Sequence, residues 1–255
     1  MTGFRFRRFI FTFLSVSAPS RLSSRSMYLF LKNFLEKKMT STAGACIRDN
    51  SSGKIGVKQM FDDVSCTYTY LIWDTDKNVG VIVDPVDTQV DRDLKEVEKL
   101  GIKLSYGLNT HAHADHITGT GLLKEKVKGF KSIISTASGA KADVLINQGD
   151  QIFFGNRYLE ARATPGHTIG CLSYVADDGS FVLTGDTLLI KGCGRTDFQG
   201  GSAKNLYESI HSQLFTLGNE CIVYPAHDYK GRTHSTIGEE KADNPRMGGN
   251  KVGID

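Results

Sequence analysis

The sequence predicts an α+β protein in which two β-sheets pack face to face with helices on their outer sides. Three observations lead there. β-rich runs come first and then alternate with helical patterns; the runs fall into two halves, each followed by helix; and 255 residues with 40% hydrophobic and 23% charged side chains supply apolar material for one substantial core, or at most two small ones. In order along the chain, Val57 to Phe61, Cys66 to Trp73 and Val79 to Val83 read as a meander of paired strands separated by polar turns, the last closed by Asp84-Pro85. From Asp87 to Leu100, Val90, Leu94, Val97 and Leu100 recur at helical spacing with Gly101 as the stop. A strand from Leu104 to Thr110 runs into a histidine cluster, followed by a short helix around Thr118 to Lys126 and a strand near Ser132 to Ser135. The second half reads as strands at Gln151 to Phe154, Arg157 to Arg162, Cys171 to Val175 and Phe181 to Thr184. A helix from Ala203 to Leu217 and a last strand at Cys221 to Tyr224 complete it.

Charge is unevenly spread. Residues 1–40 carry Arg5, Arg7, Arg8, Arg21, Arg25, Lys32, Lys37 and Lys38 against Glu36 alone, so the net +3 hides a mildly acidic body. An acidic body without a clustered basic face argues against nucleic acid as a partner. The Arg-rich, Ser-rich first forty residues fit an amphipathic mitochondrial transit segment. A secretory signal centred on Phe9 to Val16 is the competing reading, and the second basic, apolar stretch at Met27 to Met39 speaks against it. Residues 41–55 read as a flexible junction and 56–255 as the folded domain. No run approaches the ~20 apolar residues a membrane-spanning helix needs. Cys46, Cys66, Cys171, Cys193 and Cys221 form an odd set without a C-x-x-C pair, which reads as free thiols.

The chemistry concentrates at predicted strand ends. Five of the seven histidines lie in three short motifs: His111-Ala112-His113-Ala114-Asp115-His116, Thr164-Pro165-Gly166-His167 and Tyr224-Pro225-Ala226-His227. Thr184-Gly185-Asp186 adds a carboxylate. Histidines two apart on a segment leaving a strand can point to one side, and four ionisable residues in six positions, beside small neighbours, have the density of a metal site. A lone histidine after Pro-Gly is more often a turn residue, so His167 and Asp186 take their meaning from the first cluster. His211, in a predicted helix, and His234, in a polar tail, are assigned to structure or solvent.

With these motifs the sequence resembles the metallo-β-lactamase superfamily, whose H-x-H-x-D-H signature it meets in full over roughly residues 56 to 230. That resemblance implies a single-domain, four-layer αβ/βα sandwich with the metal at one edge of the two sheets. The segment Gly192-Cys193-Gly194-Arg195-Thr196-Asp197-Phe198-Gln199, with Ala226-His227-Asp228-Tyr229 and Asn244-Pro245-Arg246, is similar to the mitochondrial persulfide dioxygenase family. Membership there implies one Fe(II) held by His111, His167 and Asp186, a two-histidine, one-carboxylate set of the kind found in non-haem Fe(II) oxygenases. His113, Asp115, His116 and His227 would then hold ligand orientation and bound water. The implied reaction oxidises the terminal sulfur of glutathione persulfide with O2 and water to sulfite and glutathione, in the mitochondrial matrix. Because glutathione carries two carboxylates, Arg195 is the first candidate to bind it, its alternative being a salt bridge with Asp197; Tyr229 and Lys230 come next. Cys193 reads as a packed, inert thiol rather than a sulfur relay.

The rival of the same fold resembles glyoxalase II, a thioester hydrolase. It would add His113, Asp115, His116 and His227 to hold a second metal, as two zinc ions or an iron–zinc pair, with Asp186 as the bridge and metal-bound hydroxide as nucleophile. Against it, the 28 residues after His227 are fewer than that family's helical substrate domain requires. A flavodiiron-type reductase would place a carboxylate where this chain has His113, a nuclease would want an inserted domain and a basic groove, and a non-catalytic binding protein would be expected to have lost a ligand. A homodimer is compatible with the sequence.

Overall fold

Along the strand Thr67–Asp74 (β2), Tyr68, Tyr70 and Ile72 pack into one hydrophobic cluster while Leu71 and Trp73 pack into another. Every residue of β2 is buried, so this strand has apolar or hydrogen-bonded cover on both faces, the mark of a central layer. The same two-residue alternation sends Val81 and Val83 inward and Ile82 outward on Val79–Val83 (β3). The computed structural model describes residues 53–198 and 200–249. The predicted transit segment 1–40 and residues 41–52 of the junction lie outside the described residues.

The first sheet has the order β1-β2-β3-β4-β5-β6, adding Ile55–Asp62 (β1), Lys103–Leu108 (β4), Lys131–Ser135 (β5) and Val144–Ile146 (β6). β1, β2 and β3 pair antiparallel, and β3 to β6 are mutually parallel. The helices Val90–Lys99 (α1) and Thr120–Lys126 (α2) make the crossovers that parallel pairing demands. The second sheet runs β14-β13-β10-β9-β8-β7, with Gln151–Phe154 (β7), Arg157–Ala163 (β8), Leu172–Ala176 (β9), Phe181–Gly185 (β10), Ile222–Pro225 (β13) and Ser235–Thr236 (β14). A small hairpin, Leu188–Leu189 (β11) with Gly192–Cys193 (β12), stands apart. Ala203–Ser209 (α3) and Ile237–Asp243 (α4) cover the second sheet's outer face.

Three clusters fill the layers. The largest lies between the sheets, joining Tyr70, Val83 and Leu108 to Leu159, Tyr174, Leu183 and Tyr224. A second packs Val90, Val97, Leu123 and Phe130 against the outer face of the first sheet, and a third packs Leu206, Ile210, Leu214 and Ile237 against that of the second. This is the expected αβ/βα sandwich. Among the described residues no helix is long and apolar enough to cross a membrane.

Several boundaries differ from expectation for physical reasons. The first strand begins at Ile55, inside the predicted junction. The strand predicted to Thr110 ends at Leu108 because the Thr110 amide leaves the ladder to bind Asp84. The helix predicted over 203–217 widens after Ser209 into a π-turn, Ile210–Leu214, and Ser209 Oγ donates to Pro165 O at 2.7 Å. The segment around His234 is not a plain tail: β14 leads into α4, whose start is a capping box between Thr236 and Glu239.

One buried charge in α1 carries a prediction. Asp93 is fully buried; Arg92 donates twice to its Oδ1, and Oδ2 has no hydrogen-bond partner among the described residues. Burial outweighs Arg92 and pushes the carboxyl up to about 6. The folded state therefore holds this proton where the unfolded chain has released it, and stability falls as pH rises from about 4 to about 6. Asp93→Asn keeps the acceptor without the charge. It should flatten that slope and raise stability at pH 7.5 by about 1–2 kcal/mol, read from urea melts across pH. An unchanged slope would refute the assignment.

Candidate metal centre

The predicted site residues leave the sheets at one edge. β8, β10 and β13 run in the same direction in the second sheet, and β4 delivers its loop from the first. His111 follows β4, His167 follows β8, Asp186 follows β10 and His227 follows β13. The sheets are laced together here: Leu172 N donates to Thr110 O, Tyr68 N to Ala226 O, and Tyr70 Oη to Pro225 O at 2.6 Å.

His111, His167 and Asp186 each offer a donor atom within 4.8 Å of the others. Asp186 Oδ2 lies 4.0 Å from His111 Nε2 and 3.6 Å from His167 Nε2. The far ring nitrogens are occupied by protein. His167 Nδ1 donates to Arg195 O at 2.8 Å, and His111 Nδ1 lies 2.9 Å from Thr110 Oγ1. With Nδ1 protonated, each imidazole turns the Nε2 lone pair toward the carboxylate, which is the arrangement a metal ligand needs. Burial holds His111 neutral, pushing it down to about 3. Two imidazole Nε2 atoms and one carboxylate converging in this way fit a divalent metal.

The remaining predicted residues form a second row. Asp186 Oδ1 accepts from His227 Nδ1 at 2.6 Å, and His227 Nε2 donates to Asp115 Oδ2 at 3.0 Å. Burial opposes protonation of His227, yet the two flanking carboxylates raise it to about 10 and are themselves held low. Asp115 also accepts from His116 Nδ1 at 2.8 Å. His113 Nε2 donates to Asp84 Oδ1 at 3.0 Å. This leaves His113 Nδ1 and His116 Nε2 buried without a hydrogen-bond partner among the described residues, and His113, Asp115 and His116 form a second group whose donor atoms lie within 4.8 Å of one another.

Local backbone explains why these turns need their small residues. Gly166 has φ +145°, and a Cβ there would fall 2.3 Å from Leu206 Cα on α3. At Gly194 a Cβ would lie 2.1 Å from Asp186 O and 3.0 Å from His167 Nδ1, so only glycine lets the chain run against the Asp186 main chain and the His167 ring together.

A cavity of about 510 Å³ opens onto the cluster, lined among others by Asp186, His167, Cys193, Arg195, Phe198 and Tyr229. That size suits a small-molecule cleft. Arg195 stands in its wall, and the weighed salt bridge is present too: Nε and Nη2 donate to Asp197 at 2.8 and 2.9 Å on an exposed surface. Tyr229 stacks parallel to His227, with ring centroids 6.1 Å apart. Lys230 is exposed and is not among the lining side chains; its amide is bound by Asp228 in the turn that places Tyr229. Burial raises the Cys193 thiol while Arg246 hydrogen-bonds to it, in keeping with a packed thiol. His211 Nε2 donates to Met247 O at 3.1 Å, a structural role as expected.

Three residues near the centre were given no role by the sequence. Asp84, taken as the end of a strand, is fully buried and accepts from Thr110 N, Thr110 Oγ1 and His113. Thr67 bridges to His227 and lies 3.1 Å from its Nε2. Asp228 accepts from the amides of Lys230 and Arg232 and from the Arg232 guanidinium. The only signal for Asp84 was its place at a strand end ahead of Pro85.

Comparison with known proteins identifies the fold and the family. The sequence matches the metallo-beta-lactamase superfamily over residues 64–129 and 128–227. It is 52% identical over 200 residues to the mitochondrial persulfide dioxygenase ETHE1 of Homo sapiens, covering 78% of this chain and 79% of that protein. The crystal structure of ETHE1 from Myxococcus xanthus superposes with a TM-score of 0.72 at 47% identity, over 75% of this chain and 84% of that one. A hydroxyacylglutathione hydrolase of Thermosynechococcus vestitus is more distant, 31% identical over 183 residues and 71% of each chain. Fold, site and sequence together place this chain in the metallo-β-lactamase superfamily and, within it, in the family of the persulfide dioxygenases.

Proposed function

We propose that this chain is a persulfide dioxygenase that oxidises the terminal sulfur of glutathione persulfide with O2 and water, releasing sulfite and glutathione, in the mitochondrial matrix. The observation that carries the reading is the convergence of His111 Nε2, His167 Nε2 and Asp186 Oδ2 on one wall of a cavity able to hold a small peptide. These three residues would hold a single Fe(II), leaving its other positions free. When bound, the iron supplies electron exchange between the persulfide sulfur and dioxygen. Relatives named mitochondrial and the basic, acid-poor residues 1–40 support the location.

The chain's own part is positioning. His227 ties Asp186 Oδ1, so that Oδ2 faces the two histidines, and Arg195 O and Thr110 Oγ1 fix the tautomers of the rings. Arg195, already paired with a carboxylate in Asp197, has the fork that can exchange that partner for a glutathione carboxylate. Tyr229 and Phe198 supply the apolar sides of the cavity.

The second donor group, with its two unpartnered histidine nitrogens, favours one rival: a two-metal glutathione thioester hydrolase. One experiment separates the two. Protein from residue 41 onward, loaded anaerobically with Fe(II), should take up one O2 per glutathione persulfide and yield one sulfite, followed with an oxygen electrode and sulfite assay. Hydrolysis of S-lactoylglutathione without oxygen uptake would overturn the dioxygenase reading.

A further inference from the structure

The motif Asn244-Pro245-Arg246 supplies none of the proposed ligands and none of the cavity side chains named above. It follows α4 directly, and α4 contributes a second buried polar residue. Glu240 and Asn244 are 0% and 2% exposed. Both grip the tip of the β11–β12 hairpin. The Glu240 carboxylate accepts the Lys191 amide through both oxygens at 3.0 Å; Asn244 Nδ2 donates to Gly192 O at 3.0 Å and to Glu240 Oε2 at 2.6 Å. Asn244 Oδ1 in turn accepts from the amides of Arg246 and Met247, both at 3.0 Å, and the Arg246 side chain hydrogen-bonds to Cys193.

Lys191 is held in the left-handed region at φ +54°, a conformation that costs a lysine about 1 kcal/mol and needs such surroundings to persist. Three and four residues on, the same strap touches the metal centre. Gly194 N donates to Asp186 O at 2.9 Å, and Arg195 O accepts from His167 Nδ1 at 2.8 Å. Residues 191–195 therefore run from a buried clamp to the backs of two of the three proposed ligands, carrying Cys193 and Arg195 into the cavity wall on the way.

We infer that Glu240 and Asn244 are positioning residues for the metal centre: by fixing residues 191–195 they set the His167 ring and the Asp186 main chain, and they place Arg195 in the cavity wall. The inference rests on reading His167 and Asp186 as ligands. Loss of an outer hydrogen-bond partner typically weakens metal binding ~10–100-fold, and here the effect would pass through five residues of backbone. Asn244→Ala should lower Co(II) affinity about tenfold in chelator competition. It should also shift the visible d–d bands of the Co(II) protein, and raise KM for glutathione persulfide more than it lowers kcat.

Glu240→Gln, which keeps shape and one acceptor, should give the same changes in smaller measure, and it carries the test if Asn244→Ala does not fold. Met247→Ala is the control, since Met247 joins the clamp only through its main-chain amide, which the substitution keeps, while its side chain packs in the apolar cluster beneath α4. It should lower Tm and leave the Co(II) spectrum unchanged. Variants that bind Co(II) as tightly as the parent with unaltered bands would overturn the inference, as would a Met247→Ala spectrum shifted as far as that of Asn244→Ala. Failure of the parent protein itself to bind Co(II) would instead overturn the ligand reading, and this inference with it.

Discussion

Asp186→Ala is expected to reduce bound iron to background and to abolish oxygen uptake with glutathione persulfide. Asp186 is the only carboxylate in the proposed ligand set, so its loss leaves two imidazoles to hold a divalent ion in a largely buried place. It also removes the negative charge that offsets His227, whose other ring nitrogen still faces Asp115, so whatever positive charge His227 keeps beside the vacated position opposes a cation. Both effects act in one direction, and a loss of at least ~1,000-fold in affinity follows if each is worth about 2 kcal/mol or more. Asp186→Asn preserves the hydrogen bond from His227 through its carbonyl oxygen but not the charge, and should recover the fold without recovering the metal. Iron analysis after anaerobic dialysis, with thermal melts to verify folding, checks both variants. Retention of one iron per chain by folded Asp186→Ala protein would refute the ligand assignment.

Much of this architecture was readable from local patterns, because the strands that carry it are rich in β-branched and aromatic residues and are bounded by polar turns. Val79 to Val83 and Gln151 to Phe154 appear with the predicted limits, and the histidine motifs were recognisable since metal-ligand density concentrates in a few residues. What escaped was short or non-local. Val144–Ile146 is three residues long, too few for a period-two signal, and it earns its place by pairing with β5. α4 has seven residues with Ile237 and Glu240 buried, so no apolar stripe announces it. The clamp that Glu240 and Asn244 form on Lys191 and Gly192 spans about fifty positions and leaves no mark in either segment. Arg195 was legible as a cation near the site, but its partner could be decided only by geometry, which brings Asp197 alongside.

Asp84 shows the same limit at the centre itself, and its replacement should have the second large effect. Its Oδ1 accepts from Thr110 N and His113 Nε2, its Oδ2 from Thr110 Oγ1, and that hydroxyl oxygen in turn accepts from His111 Nδ1. One carboxylate therefore orients two histidines, one directly and one through a threonine. Burial by itself would raise its pKa; the nearby histidines and the Thr110 amide outweigh burial and keep it low, so it stays an acceptor at neutral pH. Asp84→Ala leaves three buried donors without acceptors and puts a Cβ-bearing residue at φ +49° with nothing to hold it there. Breaking a buried charged network of this kind costs about 3–5 kcal/mol. We expect a Tm lowered by roughly 10 °C and metal affinity reduced ~100-fold or more, since both His111 and His113 lose their orientation. Asp84→Gly separates the causes, because glycine tolerates the backbone but makes none of the bonds. Near-native Tm and chelator-competition midpoint in Asp84→Gly would mean that the backbone conformation, not the carboxylate, is what Asp84 contributes. A loss equal to that of Asp84→Ala would place the effect in the hydrogen bonds, as the geometry leads us to expect.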